Sequence, residues 1–241
     1  MTLPEFDLEF DLLYNNLTSG GAPPLDKYEK SVLLTQSQER LVRSYYDAFK
    51  NVSKEGFEGN EERRRELVAL VKDSINTTPV VDARQLSANS RFFALANDVM
   101  YVIYEEAILT SNDVCLEGKN CSVIPTKHDE FRKTIKNPFK KPSESKVLRL
   151  DSQGTQLIEL ISVDNSTVSS YKYRYVKYPA PIVLETLTGG LSINGITATT
   201  NSELATSAHR KIIDGAVQLA LEATGNPRIQ TKTQIDNKPE Y

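Results

Sequence analysis

The sequence predicts an α+β fold: a helical bundle from the N-terminal helices and a returning C-terminal helix, with a β-rich insertion between them. Three observations lead there. Residues 1–78 carry apolar side chains at helical spacing, the chain from Pro79 onward turns to short runs of aromatic and branched residues, and SELATSAHRKIIDGAVQLALEATG (202–225) returns to a helical stripe. The expected division is therefore 1–78 as the helical part, 79–200 as the β-rich part, 201–225 as a helix packing back, and 226–241 as a C-terminal arm. A chain of 241 residues is long enough for one elaborate domain or two small ones, each with a core.

The first helix follows from EFDLEFDLLYNNL, where Phe6, Phe10, Leu13 and Leu17 share one face before Gly20-Gly21 and Pro23-Pro24 end it. The second, LDKYEKSVLLTQSQERLVRSYYDAF, sets Tyr28, Val32, Leu34, Leu41, Val42 and Tyr45 on a broad apolar face. Asp26 is its expected N-cap, with Glu29 three residues on in a capping box. After the loop NVSKEGFEGN, a third helix is expected from about Glu61 to Ile75, with Leu67, Leu70, Val71 and Ile75 facing one way. Its opening EERRRE reads as a solvated face with local ion pairs. Arg63, Arg64 and Arg65 as a contact to DNA or an acidic partner is the rival reading.

SRFFALANDVMYVIYEEAIL has the composition of strand. NCSVIPTKHDEFRKTI predicts a short strand leading into a short helix capped by Thr126, with Asp129 at the capping-box position and His128 in the first turn. NPFKKP then stops that helix and leaves a small basic tip at Lys140 and Lys141. Further strands are expected in KVLRLDS, TQLIELISV and SSYKYRYVKYPAPIVLE. In the last, Tyr171, Tyr173 and Tyr175 alternate with Lys172 and Arg174, so tyrosines and cations occupy opposite faces. Such a strand is either one packed face or an aromatic and basic platform for nucleic acid. Asn194-Gly195 in LSINGITAT marks a two-residue hairpin.

The stretch 202–225 holds His209, one of two histidines, beside Arg210, Lys211 and Asp214. Ile212, Ile213, Ala216, Val217, Ala220 and Leu221 form a compact stripe whose alanines permit close packing, and His209 falls at its margin. Gly225 and Pro227 stand in stop positions. A catalytic histidine needs an orienting acceptor and a nucleophile or metal, and no neighbouring motif supplies them. This is a packing helix. Beyond it, Ile229, Ile235 and Tyr241 punctuate the polar stretch NPRIQTKTQIDNKPEY, which suits either an arm that orders against a neighbour or a solvated tail.

Composition narrows the function. Hydrophobic residues make up 39% and charged ones 25%, with 29 Lys plus Arg against 32 Asp plus Glu and a net charge of -3. A protein that coats DNA needs a surplus of cations to displace counterions. No apolar run approaches the ~18 residues of a membrane helix. The acidic start MTLPEFDLEFDLLYNN lacks the basic region of a signal peptide, so synthesis in a cytoplasm is expected. Cys115 and Cys121 in CLEGKNC are two ordinary strand thiols, a disulfide, or half of a zinc site that His128 alone would not complete. There is no phosphate-cradling Gly-rich loop, HExxH, nucleophile elbow or CxxC. No catalytic, cofactor-binding or metal-ligating residue is therefore assigned.

The succession LDKYEKSVLLTQSQERLV, FFALANDVMYVIYEEAI, VIPTKHDEFRKTIKNPFKKP, VLRL, YRYVKYPAPIVLE and AHRKIIDGAVQLALEA resembles the head-to-tail connector, or ring/adaptor, proteins of crAss-like tailed bacteriophages. The resemblance spans about residues 5–225. It implies a structural protein of the virion tail or neck, without cofactor or enzymatic activity, made in the bacterial host cytoplasm. It also implies a homo-oligomeric ring of twelve copies beneath the portal protein, stacked with other connector or tail rings, through which DNA passes without specific binding. No membrane is involved. Interface candidates are Arg63, Arg64, Arg65, Lys140, Lys141, Ile229, Ile235 and Tyr241. The alternative is a nucleic-acid-binding module using the basic strand face and loop tip; a hydrolase would have to use His128 or His209 with nearby carboxylates.

Overall fold

The computed structural model describes residues 1–18, 23–47, 57–152 and 156–224. The fold is mixed α+β, with five α-helices and a curled seven-stranded sheet among those residues. It divides into two compact units: residues 1–70 together with the chain from Tyr178 onward, and residues 71–177.

The first unit holds α1 (Leu3–Thr18), α2 (Lys27–Tyr46), α3 (Glu61–Leu67) and α5 (Thr206–Ala223). On α1 the buried positions are Phe6, Phe10, Tyr14 and Thr18, successive fourth residues along one face. Leu13 and Leu17, expected on that face, are only half-buried. The α2 N-terminus carries the expected capping box: Glu29 N–H donates to Asp26 Oδ1 at 2.7 Å and Asp26 N–H to Glu29 Oε2 at 3.0 Å. The expected stripe of α5 is buried at all six positions, and α5 packs on both α1 and α2. Its approach to α2 is close enough that a Cβ on Gly215 would lie 2.4 Å from Ser37 Oγ. The Asn194-Gly195 turn forms as expected, with φ of 50° and 82° and a bridge between Ile193 and Ile196.

Two boundaries differ from the sequence reading. The helix expected over 61–75 stops at Leu67, passes through a 3-10 turn at Val68–Leu70 and becomes strand β1 (Val71–Asn76). Leu67 and Leu70 are buried, whereas Ile75 is 62% exposed. Pairing with a strand a hundred residues later, Val71 opposite Val176 through Asn76 opposite Tyr171, overrides the local period. The helix expected to be capped at Thr126 instead begins at Phe131 as α4 (Phe131–Lys136), with Glu130 at the N-cap making no side-chain cap. Thr126 still follows the strand ladder, its N–H donating to Arg149 O at 2.8 Å, and a turn closed by Glu130 N–H to Lys127 O at 3.1 Å separates it from the helix. His128 thus precedes the helix.

The second unit is the sheet. β1 is followed by β2 (Ser90–Ala94), β3 (Val99–Ser111), β4 (Asn120–Pro125), β5 (Lys146–Asp151), β6 (Leu157–Ile161) and β7 (Ser166–Lys177). Their spatial order is β1-β7-β3-β4-β5-β6-β2. Neighbours are antiparallel except β4 and β5, whose parallel pairing uses α4 in the crossover. Irregularities along β3 at Val99/Tyr101, Val102/Tyr104 and Ile108/Leu109 bend the sheet, and bulges of this kind increase local twist. The curl brings β2, at one end of the order, onto β7 near the other, with Phe93 5.9 Å from Tyr171. Leu109, Val147, Leu160 and Val168 fill the enclosed face. Outside it, Phe131 of α4 covers Leu148, Leu150 and Ile161.

Candidate assembly surfaces

The tyrosines of β7 belong to the core. Tyr171, Tyr173 and Tyr175 are all buried and stack in series, with centroids 5.0 and 5.5 Å apart. Their hydroxyls are committed: Tyr173 accepts from Ala96 N–H at 2.8 Å, Tyr175 donates to Asp98 at 3.0 Å, and Tyr171 donates to Glu105. Glu105 also meets Arg149 at 2.6 Å, so a charged pair is enclosed with the tyrosine. Burial, reinforced by Asp98, pushes the Tyr175 phenol up to about 12, and burial beside Glu105 raises Tyr171 further. On the opposite face Arg174 pairs with Asp73 at 2.7 Å, both exposed. Buried rings offer no stacking surface to bases, so the packed-face reading of this strand holds.

Neither histidine has catalytic surroundings. His209 is buried: Nε2 donates to Leu204 O at 3.0 Å, Nδ1 accepts from the Met1 amine at 3.0 Å, and Phe6 lies 5.0 Å from the ring. Burial holds its pKa below the usual histidine value, and both nitrogens are used structurally. His128 is exposed, with Nε2 donating to Asp151 O at 2.6 Å. Cys115 and Cys121 are both free; Cys115 is exposed, while Cys121 sits buried in β4 with Sγ 3.1 Å from Glu144 O. Among the described residues no group of three or more His, Cys, Asp or Glu is placed to hold a metal, and no helix is long and apolar enough to cross a membrane.

Polar chemistry concentrates instead in the seams of the first unit. Glu66, fully buried on α3, accepts from Tyr45 Oη at 2.5 Å and from Lys211 Nζ at 3.0 Å, while Lys211 also reaches Glu62 at 2.7 Å. These contacts outweigh the cost of burial and raise the Lys211 pKa; burial, with Glu66, pushes Tyr45 up to about 12. Lys30, on α2, meets Asp7 and Asp11 of α1, each at 2.7 Å. The sequence reading puts Tyr45 on the apolar face of α2, notes Lys211 only beside His209, and counts Glu62 and Glu66 in the solvated opening EERRRE. Glu66 is instead fully buried, and Lys30, Asp7 and Asp11 are not singled out by that reading. Their signal was the helical spacing of Glu62 with Glu66, and of Asp7 with Asp11, each pair presenting two carboxylates to one cation.

The predicted surface cations fall into two kinds. Arg64 and Arg65 pair with Glu61 at 3.6 and 3.0 Å, a solvated face with local ion pairs, and Arg63 lies 5.7 Å over the Tyr45 ring. Lys140 and Lys141 are exposed on the loop after α4, beside Phe139, which is 90% exposed. Ile229, Ile235 and Tyr241 lie outside the described residues.

Comparison with known proteins gives these surfaces a setting. The model for phage tail ring protein 3/4 matches residues 1–232, nearly the whole chain. The chain belongs to that family. Ring protein 3 of Bacteroides phage crAss001 is 39% identical over 231 residues, covering 94% of this chain and 99% of that one. Ring protein 4/5 of the same phage is 30% identical over 249 residues, covering 100% of both. Family membership makes this a structural ring protein of a crAss-like phage, a virion component and not an enzyme. The side chains that the structure brings together serve packing, while Arg64, Arg65, Lys140 and Lys141 face outward.

Proposed function

We propose that the chain assembles as a homo-oligomeric ring of twelve copies in the head-to-tail connector or tail barrel, beneath the portal protein and around the DNA exit channel. Its partners are the portal and other connector or tail ring proteins, and it is made in the host cytoplasm before assembly. The observation that carries this reading is that two differently named ring proteins of one phage both align with nearly all of this chain. One fold thus serves more than one ring in such a virion, as a stack of related rings requires. Ring closure needs a heterologous contact, two different patches of one subunit meeting in every pair around the axis.

The helices within residues 1–70, with the returning helix α5, form the ring body in this proposal. The sheet unit, residues 71–177, is the β-rich insertion that supplies further contacts, and the arm 226–241 reaches a neighbouring ring through Ile229, Ile235 and Tyr241. Arg63, Arg64, Arg65, Lys140 and Lys141 are the proposed charged contacts. A net charge of -3 suits a channel that DNA crosses without sticking. Quantitative mass measurement of purified virions should find twelve copies per portal, and class averages should show a closed ring at that level. Absence of the protein from virions would sink the reading; another copy number would sink only the twelve-fold part.

A further inference from the structure

The segment 127–141 carries six cations, Lys127, Arg132, Lys133, Lys136, Lys140 and Lys141, against two carboxylates, Asp129 and Glu130. At its tip Phe139 stands 90% exposed. A single exposed aromatic is unremarkable by itself, but this one is held on a built loop. Asn137 accepts from Phe139 N–H through its side chain at 3.0 Å and from the N–H groups of Lys140 and Lys141 through its carbonyl, at 3.1 and 2.9 Å. Lys146 Nζ closes the loop by donating to Phe139 O at 3.0 Å. The ring is presented in advance of any contact, which lowers the ordering cost of docking it.

A complementary surface lies elsewhere in the same sequence. Helix α1 contains no Lys or Arg; two of its four carboxylates, Asp7 and Asp11, are taken by Lys30, Glu9 lines its open side, and it exposes Leu8 and Leu12 at 71% and 61%. Between α1 and α5 runs a groove of about 400 Å³ lined by Glu9, Leu12, Leu13, Arg210, Ile213 and Asp214. Its floor is apolar and two of its three charged residues are acidic. An aromatic followed by two lysines matches a floor of Leu and Ile with carboxylates at the edge.

We propose that Phe139, with Lys140 and Lys141, seats in the α1–α5 groove of a second copy of this chain. The contact joins two different patches, so it propagates head to tail, as ring closure demands. The inference rests on the ring reading above and names the surfaces that make the ring.

The test uses particles assembled with full-length protein in which Cys115→Ser removes the exposed thiol and Glu9→Cys with Lys140→Cys places one thiol on each patch. Oxidation should give a ladder of covalent multimers of this chain on a non-reducing gel, absent when either introduced cysteine is left out, since the remaining Cys121 is buried. Particles that contain the variant yet form no such ladder, form only a bond within one chain, or join it to another virion protein overturn the proposal. A second variant, Lys140→Glu with Lys141→Glu, should melt like wild type but enter particles roughly ten-fold less or worse, because like charges would then face each other. Adding Glu9→Lys should restore much of the loss. Unchanged incorporation of the first, or no recovery in the second, also overturns it. Absence of the wild-type chain from virions would instead fail the ring reading itself.

Discussion

The two compact units solve one problem with opposite materials. In the sheet unit, curled strands enclose Phe93, Leu109, Leu160 and three stacked tyrosines, and stability comes mainly from apolar area. In the helical unit, α2 buries Lys30, Ser31, Thr35, Ser37 and Gln38, an unusually polar face for a core helix. Lys30 is held by α1 and Ser37 donates to Ile212 O of α5 at 2.6 Å; for the other three the reason is the segment 180–184, which runs along α2 with main-chain groups bonded to its side chains. Ser31 accepts from Leu184 N–H at 3.0 Å, Thr35 from Ile182 N–H at 3.1 Å, and Gln38 donates to Ala180 O at 2.8 Å. Spaced by four and three, these residues act for the segment as a neighbouring strand would. Apolar packing tolerates repacking, whereas a polar seam is correct only with every partner present.

The largest effect is expected in the sheet unit. Phe93 is fully buried against Tyr171, so Phe93→Ala should cost about 3–5 kcal/mol. Phe93→Leu, which keeps most of the volume, should cost much less. Denaturant melts give the totals, and hydrogen exchange should show faster opening of β2, β6 and β7 amides. Equal losses for both substitutions would mean that shape, and not area, dominates this unit.

The Glu66–Lys211 seam should behave in the reverse way. Lys211→Met leaves Glu66 buried without its cation and should cost about 3 kcal/mol, while Lys211→Met with Glu66→Met should cost less than the single change. An additive double variant would show that the two side chains contribute independently and would erase the contrast between the units. Thr35→Val is the finer probe. It keeps the shape but strands Ile182 N–H, for an expected loss of about 1–3 kcal/mol. A neutral result would mean that water reaches the seam.

The same contrast explains which features were legible in the sequence. The Asp26–Glu29 box, the Asn194-Gly195 turn, the α5 stripe and the alternation of β7 are written in residues at most a few turns apart, and each formed as expected. The end of α3 was decided by pairing with Tyr171–Val176, and α4 starts only after the strand ladder ends at Arg149 and a turn intervenes. Ser31, Thr35 and Gln38 read as ordinary helix-surface residues because the chain they hold is about 150 positions away. Of the candidate contact residues, Lys140 and Lys141 were visible as a basic tip. The α1–α5 groove was not, since it exists only once two helices distant in sequence lie side by side.

The smallest expected effect is a slope in pH. His209 is buried and neutral in the helical unit, with its folded pKa below the ordinary value of 6.5. Between the two values the unfolded chain binds the proton and the folded chain does not, so stability rises with pH across that window. The contribution is complete above about 6.5 and is lost as pH falls from there toward the folded pKa. Protonation would also place a second positive charge 3.0 Å from the Met1 amine, in place of the acceptor that amine now uses. His209→Gln can still donate to Leu204 O but takes up no proton. It should therefore flatten the melting temperature between pH 7 and 5, whatever it does to the value at pH 7. A wild-type curve already flat over that range, or a variant curve with the same slope, would show that His209 is not the group that makes this unit pH-sensitive.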